Sequence, residues 1–247
     1  MAPVRADRLA VLIDADNANA KLIEPLLNEI AKYGVPYVKR IYGDWTKPHL
    51  SHWKSKLNEL AIQPIQQFSY THGKNSTDSA LIIDAMDLLY TRNFDGFCLV
   101  SSDSDFTRLA SRLRESGLLV YGFGEKKTPQ AFVSACDKFT YVEILRNSAQ
   151  SAASHAGKHS QTGKSLNKKI LQLFKDAYEA VSGEDEWIHL GPFGSQLNKL
   201  SPSFDPRNYG YSKLGQLVKA SNLFEIKETP HAKKPAAKDI YIKLKEL

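Results

Sequence analysis

The sequence predicts an α/β fold, a mostly parallel sheet with helices on both faces, followed by a small C-terminal winged helix-turn-helix domain. Three observations lead to this prediction. Short apolar runs alternate regularly with helical patterns over residues 1–146. A stretch without any large apolar residue follows at 147–165. Residues 166–247 then hold three helical patterns and a strand pair.

The N-terminal elements alternate along the chain. The first run, LAVLIDAD, is continuously apolar, as expected for a strand covered on both faces. Apolar residues then recur at helical spacing until Gly34 supplies a stop. Pro64 makes the third strand an edge strand. The elements after Gly34 are strand YVKRIYGD, helix HLSHWKSKLNELA, strand IQPIQQF, helix TDSALIIDAMDLLY, strand FDGFCLVSSDSD, helix FTRLASRLRES, strand LLVYGFG, helix TPQAFVSACDKF and the closing segment YVEIL.

Ser, Ala, Gly and Gln dominate residues 147–165, which is the composition of a flexible linker between domains. We therefore expect one domain at 1–146 and a second at 166–247. The second contains the helical patterns LNKKILQLFKDAYEAV, FGSQLNKL and YSKLGQLVKAS. The segments FEIKE and DIYIKLKEL then predict a two-stranded wing.

The composition argues against a membrane-spanning protein and against a disulfide-stabilised secreted protein. Of the 247 residues, 42% are apolar, yet no apolar run is long enough to cross a bilayer. The N-terminus lacks the features of a signal peptide, and two cysteines provide no disulfide framework. We expect a cytoplasmic protein. The net charge of +6 lies mainly in residues 147–247, with 15 Lys and Arg against 10 Asp and Glu, which indicates an anionic partner.

Aspartates stand directly after two of the predicted strands, at the carboxyl edge where parallel sheets bind ligands. Asp14 and Asp16 close the first strand, and Asp103 and Asp105 close the fourth. Ligands collect at the carboxyl ends of strands, where the strand order reverses. If these two strands flank that point, their aspartates meet. Asp78 joins them from the start of the next helix.

Helical geometry ranks the acids of that helix. At about 100° per residue, Asp84 lies about 120° around the helix from Asp78, and Asp87 about 180°. Asp78 therefore points best into the site, Asp84 grazes it and Asp87 is solvated. Aspartates at such turns also cap helices, a role that we predict for Asp16 and Asp105.

Clustered carboxylates require a counter-charge. Two carboxylates about 5 Å apart repel by about 3 kcal/mol at an effective dielectric near 20. Such a cluster either holds protons or binds a hard divalent ion, and Mg²⁺ and Mn²⁺ prefer oxygen ligands. Either ion can activate water and offset charge on a phosphodiester. The acids predict a metal site for phosphodiester hydrolysis.

These motifs resemble the NYN domain family, also called LabA-like. The resemblance rests on VLIDADN, IYGDW, KNSTDSALIIDAMDLLY, LVSSDSDFTRLASRLRESG and GFGEKKTPQAFVSACDKF, and it covers roughly residues 7–146. NYN domains are related to PIN and FEN-type nucleases, which implies a PIN-like, Rossmannoid fold and a metal-dependent ribonuclease, most simply an endonuclease. Carried over, the metal-binding carboxylates are Asp14, Asp78, Asp103 and Asp105. Asn17 looks like the polar residue that contacts metal water or phosphate.

The C-terminal part resembles the OST-HTH, or LOTUS, domain. The match lies in GPFGSQLNKLSPSFDPRNYGYSKLGQLVKASNLFEI. The resemblance implies binding of RNA, single-stranded or structured and often G-rich, while some members of the family bind proteins. NYN-like domains also self-associate in some cases, so a homodimer is a further expectation.

Basic and aromatic residues near both predicted sites are candidate RNA contacts. For the tyrosines, packing of a turn is the favoured interpretation, and for Trp45 packing and base stacking are equal. Histidines such as His49 show no metal-ligand spacing and receive no catalytic role. The candidates are Lys74, Trp45, Lys199, Arg207, Tyr209, Tyr211, Lys213 and Lys219.

Two alternatives remain open. In the first, Asp14 is the covalent nucleophile and Asp16 the acid of a haloacid-dehalogenase-type phosphatase, although the residues that follow fit that family poorly. In the second, the protein is a catalytically silent RNA-binding adaptor with a nuclease-like fold.

Overall fold

Parallel strands form the centre of the N-terminal part. The computed structural model describes residues 6–68, 76–146, 166–183, 186–231 and 234–245, with the backbone alone at 231 and 234–237. The chain divides into two compact units, Met1–Ala156 and Gly157–Leu247. The predicted linker at 147–165 and Lys74 both lie outside the described residues.

The sheet of the first unit has six parallel strands within the described residues, in the order β3-β2-β1-β4-β5-β6. β1 pairs directly with β4, so the strand order reverses at the two strands that carry the aspartates. This confirms the predicted parallel fold and the edge position of the third strand. The strands are β1 Arg8–Asp14, β2 Val35–Gly43, β3 Gln63–Gln66, β4 Gly96–Val100, β5 Leu119–Gly124 and β6 Lys138–Tyr141.

Helices cover both faces of this sheet. One face packs against α3, α4 and α5 through a core that includes Leu81 and Phe106. The other face packs against α1 and a 3-10 helix, Pro48–Trp53, through Leu26 and Trp53. Because both faces are covered, β4 is buried along its whole length. The helices are α1 Ile23–Ile30, α2 Lys54–Glu59, α3 Ser76–Tyr90, α4 Thr107–Glu115 and α5 Gln130–Ala135.

The end of the first unit differs from the sequence prediction. The helix predicted over TPQAFVSACDKF ends at Ala135, and the last strand is Lys138–Tyr141, ahead of the predicted closing segment. Tertiary pairing explains the difference. The side chain of Asp137 accepts the backbone N–H of Val120 at 2.9 Å, which ties this segment to β5 and buries Phe139 in the core.

The second unit contains α6 Lys168–Glu179, α7 Leu190–Leu200 and α8 Leu214–Ser221, with strands β7 Ile188–His189, β8 Phe224–His231 and β9 Lys234–Leu244. The three helices and the β8–β9 hairpin confirm the predicted helices with a wing. The short strand β7, which pairs with β9, was missed because two residues carry no periodicity. Phe174 packs edge-to-face against Phe193 and Phe204 and at a tilt against Phe224, with ring centroids 5.6–6.2 Å apart. In the part of the chain that the structure describes, no helix has the length and apolar character to cross a membrane.

Candidate metal centre and nucleic-acid interface

Three predicted carboxylates meet at the carboxyl edge of the sheet. Asp78 lies in the first turn of α3, Asp103 follows β4, and Asp105 lies in a 3-10 turn, Ser104–Phe106. Each offers one carboxylate oxygen, and these oxygens lie within 4.8 Å of one another. This spacing allows all three carboxylates to contact one cation.

Asp14 lies deeper and is not part of this group of three. It is 1% exposed and accepts hydrogen bonds from Ser101 Oγ and Asn17 Nδ2, each at 2.8 Å. The backbone N–H of Asp16 adds a third bond at 3.1 Å. Asp14 therefore forms the floor of the site, and its side chain is held in one orientation.

The pKa values reveal excess negative charge. Burial, followed by the charges of Asp14 and Asp103, raises the pKa of the Asp78 carboxyl from 3.8 to about 6. Burial also raises the pKa of Asp14, against the effect of its hydrogen bonds. Within the described residues, no Lys or Arg forms an ion pair with Asp14, Asp78 or Asp103. A hard divalent cation fits this set of oxygen donors and would offset its charge.

The predicted caps were assigned to the wrong aspartates. Asp103 caps the turn after β4 by accepting the N–H of Asp105 at 2.9 Å, and Asp14 accepts the N–H of Asp16. The reason is geometric, because a short carboxylate reaches the backbone N–H two residues downstream. In each Asp-x-Asp pair the carboxylate of the first residue therefore accepts the capping hydrogen bond, and the backbone N–H of the second residue donates it.

Ser101 was missed by the sequence analysis. Its hydroxyl donates to Asp14 Oδ2 at 2.8 Å and accepts the backbone N–H of Asp103 at 3.1 Å, so it joins the ends of β1 and β4. A Cβ at Gly124 would lie 2.5 Å from the Ser101 carbonyl oxygen, so glycine is required for this close approach. The serine pair before Asp103 in LVSSDSD was the available signal.

The remaining acids of α3 lie away from the cluster. Asp84 pairs with Arg40 and accepts the hydroxyl of Tyr42, both on β2. The sequence predicted that Asp84 would lie at the border of the site. Its contacts with Arg40 and Tyr42 fix α3 to the sheet instead. Asp87 is exposed, as predicted. Asp78 is thus the member of this helix that enters the cluster.

Trp45 is half-buried at the end of β2, and its Nε1 donates to the Ile65 carbonyl at 3.0 Å. His49, which the sequence analysis gave no role, lies 3.1 Å from the carboxylate of Asp16. Trp45 follows the end of β2, and His49 lies in the 3-10 helix Pro48–Trp53 that comes next along the chain.

The candidate contacts of the second unit fall into two groups. Lys199, Lys213 and Lys219 are exposed at the end of α7, the start of α8 and the last turn of α8. Tyr209 is 38% exposed beside Phe204. The other candidates are held by the domain itself, since Arg207 is paired with the buried Asp205 at 2.7 Å and Tyr211 packs against the core.

Three solved structures are similar to parts of the chain. A protein of unknown function from Vibrio parahaemolyticus is 17% identical and has a TM-score of 0.48, covering 56% of this chain and 94% of its own. An uncharacterised protein from Nitrosomonas europaea is 35% identical and has a TM-score of 0.30. The match covers 38% of this chain and 90% of that protein's chain. A protein from Chromobacterium violaceum is 34% identical and has a TM-score of 0.26. The match covers 32% of this chain and 84% of that protein's chain.

Family models match both units, whereas no curated protein matches the chain. The model of the NYN domain matches residues 8–145, and that of the OST-HTH/LOTUS domain matches residues 164–235. The first is a PIN-like, nuclease-type domain and the second an RNA-binding domain, in the order that the sequence motifs predict. The chain belongs to the NYN domain family and carries an OST-HTH/LOTUS domain after its NYN domain.

Proposed function

We propose that this protein is a metal-dependent ribonuclease that hydrolyses internal phosphodiester bonds of RNA. The observation that carries the proposal is the meeting of Asp78, Asp103 and Asp105, whose oxygens lie within 4.8 Å of one another. These three residues would hold Mg²⁺ or Mn²⁺, with Asp14 behind them. A bound ion supplies activation of water and stabilisation of charge on the transferring phosphate.

The residues around the cluster position it. Ser101 and Asn17 orient the Asp14 carboxylate, and the cap formed by Asp103 fixes the turn that carries Asp105. Asn17 is exposed, so the face of its amide that is not bonded to Asp14 can contact a phosphate oxygen. This arrangement keeps the oxygens in place before substrate binds, which lowers the reorganisation cost of the reaction.

A phosphatase that uses Asp14 as a nucleophile fits this geometry less well. Both carboxylate oxygens of Asp14 accept hydrogen bonds, and the side chain is 1% exposed. Asp16, the acid in that mechanism, lies 3.1 Å from His49 Nε2. A nucleophile must instead reach the phosphorus atom along an open path.

The first prediction tests the reaction itself. Labelled single-stranded and structured RNAs are incubated with the protein in Mg²⁺, Mn²⁺ or EDTA. We expect cleavage with either ion and none in EDTA, and we expect Asp103→Asn to lose about 10³-fold in rate, or about 4 kcal/mol of transition-state stabilisation. Fluorescence anisotropy measures RNA binding in parallel, because binding by the LOTUS domain does not use these acids.

The control is Asp87→Asn, which removes an exposed acid from α3 outside the cluster and should cleave like the wild type. Wild-type protein that binds RNA but cleaves none with either ion would contradict the nuclease proposal. It would leave the RNA-binding adaptor as the function.

The second prediction concerns the LOTUS domain. Lys213→Ala and Lys219→Ala should each weaken RNA binding about 3- to 10-fold, and each should reduce the salt slope of log K by about one. Phosphate contacts cause both effects. Filter binding from 50 to 300 mM salt measures them, with Lys169→Ala on α6 as the control for an exposed lysine elsewhere in the domain. Equal losses in all three variants would show general charge attraction instead of an interface at α8.

A further inference from the structure

A cavity of about 440 Å³ lies beside the carboxyl ends of β2 and β3. Its volume falls in the lower part of the range for small-ligand sites. Apolar side chains form most of its surface, and two lysines are also among the lining residues. The lining includes the apolar residues Trp45, Pro48, Leu57 and Pro64 and the basic residues Lys47 and Lys54.

The aromatic wall of the cavity is fixed by hydrogen bonds at both ends of the Trp45 residue. Its backbone N–H donates to Gln66 Oε1 at 2.9 Å, and its indole Nε1 donates to the Ile65 carbonyl at 3.0 Å. Gln66 also donates to the buried Asp44 at 3.0 Å, which in turn accepts the Thr46 hydroxyl at 2.7 Å. The ring is held before any ligand arrives, so little conformational entropy is lost on binding.

The 3-10 helix Pro48–Trp53, which lines the cavity, also contacts the segment that follows β1. Pro48 and Leu50 line the cavity, and His49 between them lies 3.1 Å from Asp16 Oδ1. In the strand order, β1 lies next to β2, and the N–H of Ala15 bonds to the Tyr42 carbonyl at 2.9 Å. The cavity and the acidic cluster therefore both lie at the carboxyl edge of the same sheet.

We propose that this cavity is a nucleotide subsite, which takes one nucleobase of the RNA strand whose backbone crosses the acidic cluster. The proposal rests on the ribonuclease function above. A cavity lined by an indole ring, prolines and leucines suits a flat aromatic base, because bases stack on aromatic side chains irrespective of sequence. Lys54 is exposed at the lining and complements the phosphate charge of the bound strand.

The test fills the cavity without altering the acids. Ser51 is exposed and lines the cavity, whereas Ser55 is exposed on α2 and does not line it. We compare Ser51→Trp with Ser55→Trp in the full chain, using RNAs that carry 5-iodouridine or 8-azidoadenosine. Irradiation in EDTA traps bound RNA without cleavage, and mass spectrometry maps the crosslinked residue.

We expect crosslinks to Trp45 in the wild type and in Ser55→Trp, with at least a tenfold loss in Ser51→Trp. In Mg²⁺, cleavage by Ser51→Trp should fall about tenfold with a matching rise in KM, since stacking of one base is worth about 1–3 kcal/mol. Circular dichroism confirms that both variants fold.

The outcomes separate the two proposals. Metal-dependent cleavage without any crosslink to Trp45, and with Ser51→Trp as active as Ser55→Trp, would overturn the subsite and leave the ribonuclease in place. Crosslinks to Trp45 that Ser51→Trp removes, without cleavage in either ion, would keep the base-binding cavity and overturn the ribonuclease.

Discussion

Asp78→Asn is expected to reduce RNA cleavage by about 10³-fold and, in the same protein, to stabilise the metal-free chain. The loss of cleavage follows from removing one of three clustered oxygen ligands. The gain in stability follows from the pKa of Asp78, which burial and the neighbouring aspartates raise from 3.8 to about 6. At neutral pH the folded protein holds an ionised carboxylate that its surroundings disfavour.

The sign of the pH dependence follows from proton linkage. Between its unfolded pKa of 3.8 and its folded pKa of about 6, Asp78 binds more protons in the folded state. This contribution therefore stabilises the metal-free protein at low pH and is lost as pH rises through about 6. After allowance for solvent screening, we expect a loss of about 1–2 kcal/mol in wild type that Asp78→Asn does not show.

Thermal unfolding in EDTA at pH 5 and pH 8 measures this difference, with Asp87→Asn as the control for an exposed acid on the same helix. Adding Mg²⁺ should reverse the order at pH 8, because the ion binds the folded wild type and raises its Tm. A Tm of Asp78→Asn below that of wild type in EDTA at pH 8 would contradict the proposed excess of negative charge.

Asp84→Ala is expected to lower the free energy of unfolding by about 2–3 kcal/mol, which is less than for a fully buried ion pair because both partners are partly exposed. The variant leaves the Arg40 guanidinium and the Tyr42 hydroxyl without the carboxylate that now accepts from both. Beside Asp84, the Tyr42 hydroxyl has a raised pKa, with burial as the main cause, so this phenol stays a donor. The lost pair also loosens the helix that carries Asp78.

Urea unfolding measures the stability change, and cleavage at increasing Mg²⁺ measures the effect on the site. Asp87→Ala is the matched control, since it removes an acid three residues along the same helix that is exposed. Tyr42→Phe should cost about 1 kcal/mol, because it removes one hydrogen bond and keeps the ion pair. Equal stabilities of Asp84→Ala and Asp87→Ala would show that the pair does not fix α3 to the sheet.

The sequence by itself determined the layout of the chain. Continuous apolar strands that alternate with helical patterns predicted the parallel sheet, because a strand covered on both faces needs no polar alternation. The same logic placed Asp14 and Asp103 at the ends of strands that meet. The motifs identified both domains, and Pro64, which has no N–H to donate to a second neighbouring strand, placed β3 at the edge.

Only the tertiary structure decided which acids meet and what holds them. The depth of Asp14, its bond to Ser101 and the Asp84 pair depend on side chains 44–87 residues apart in sequence, which local patterns do not encode. The shortened α5 follows from pairing of β6 with β5, which overrides local helical preference. The cavity beside Trp45 likewise arises where separate segments pack. Local sequence fixes periodicity and turns, whereas burial and distance depend on contacts between residues that only the folded chain brings together.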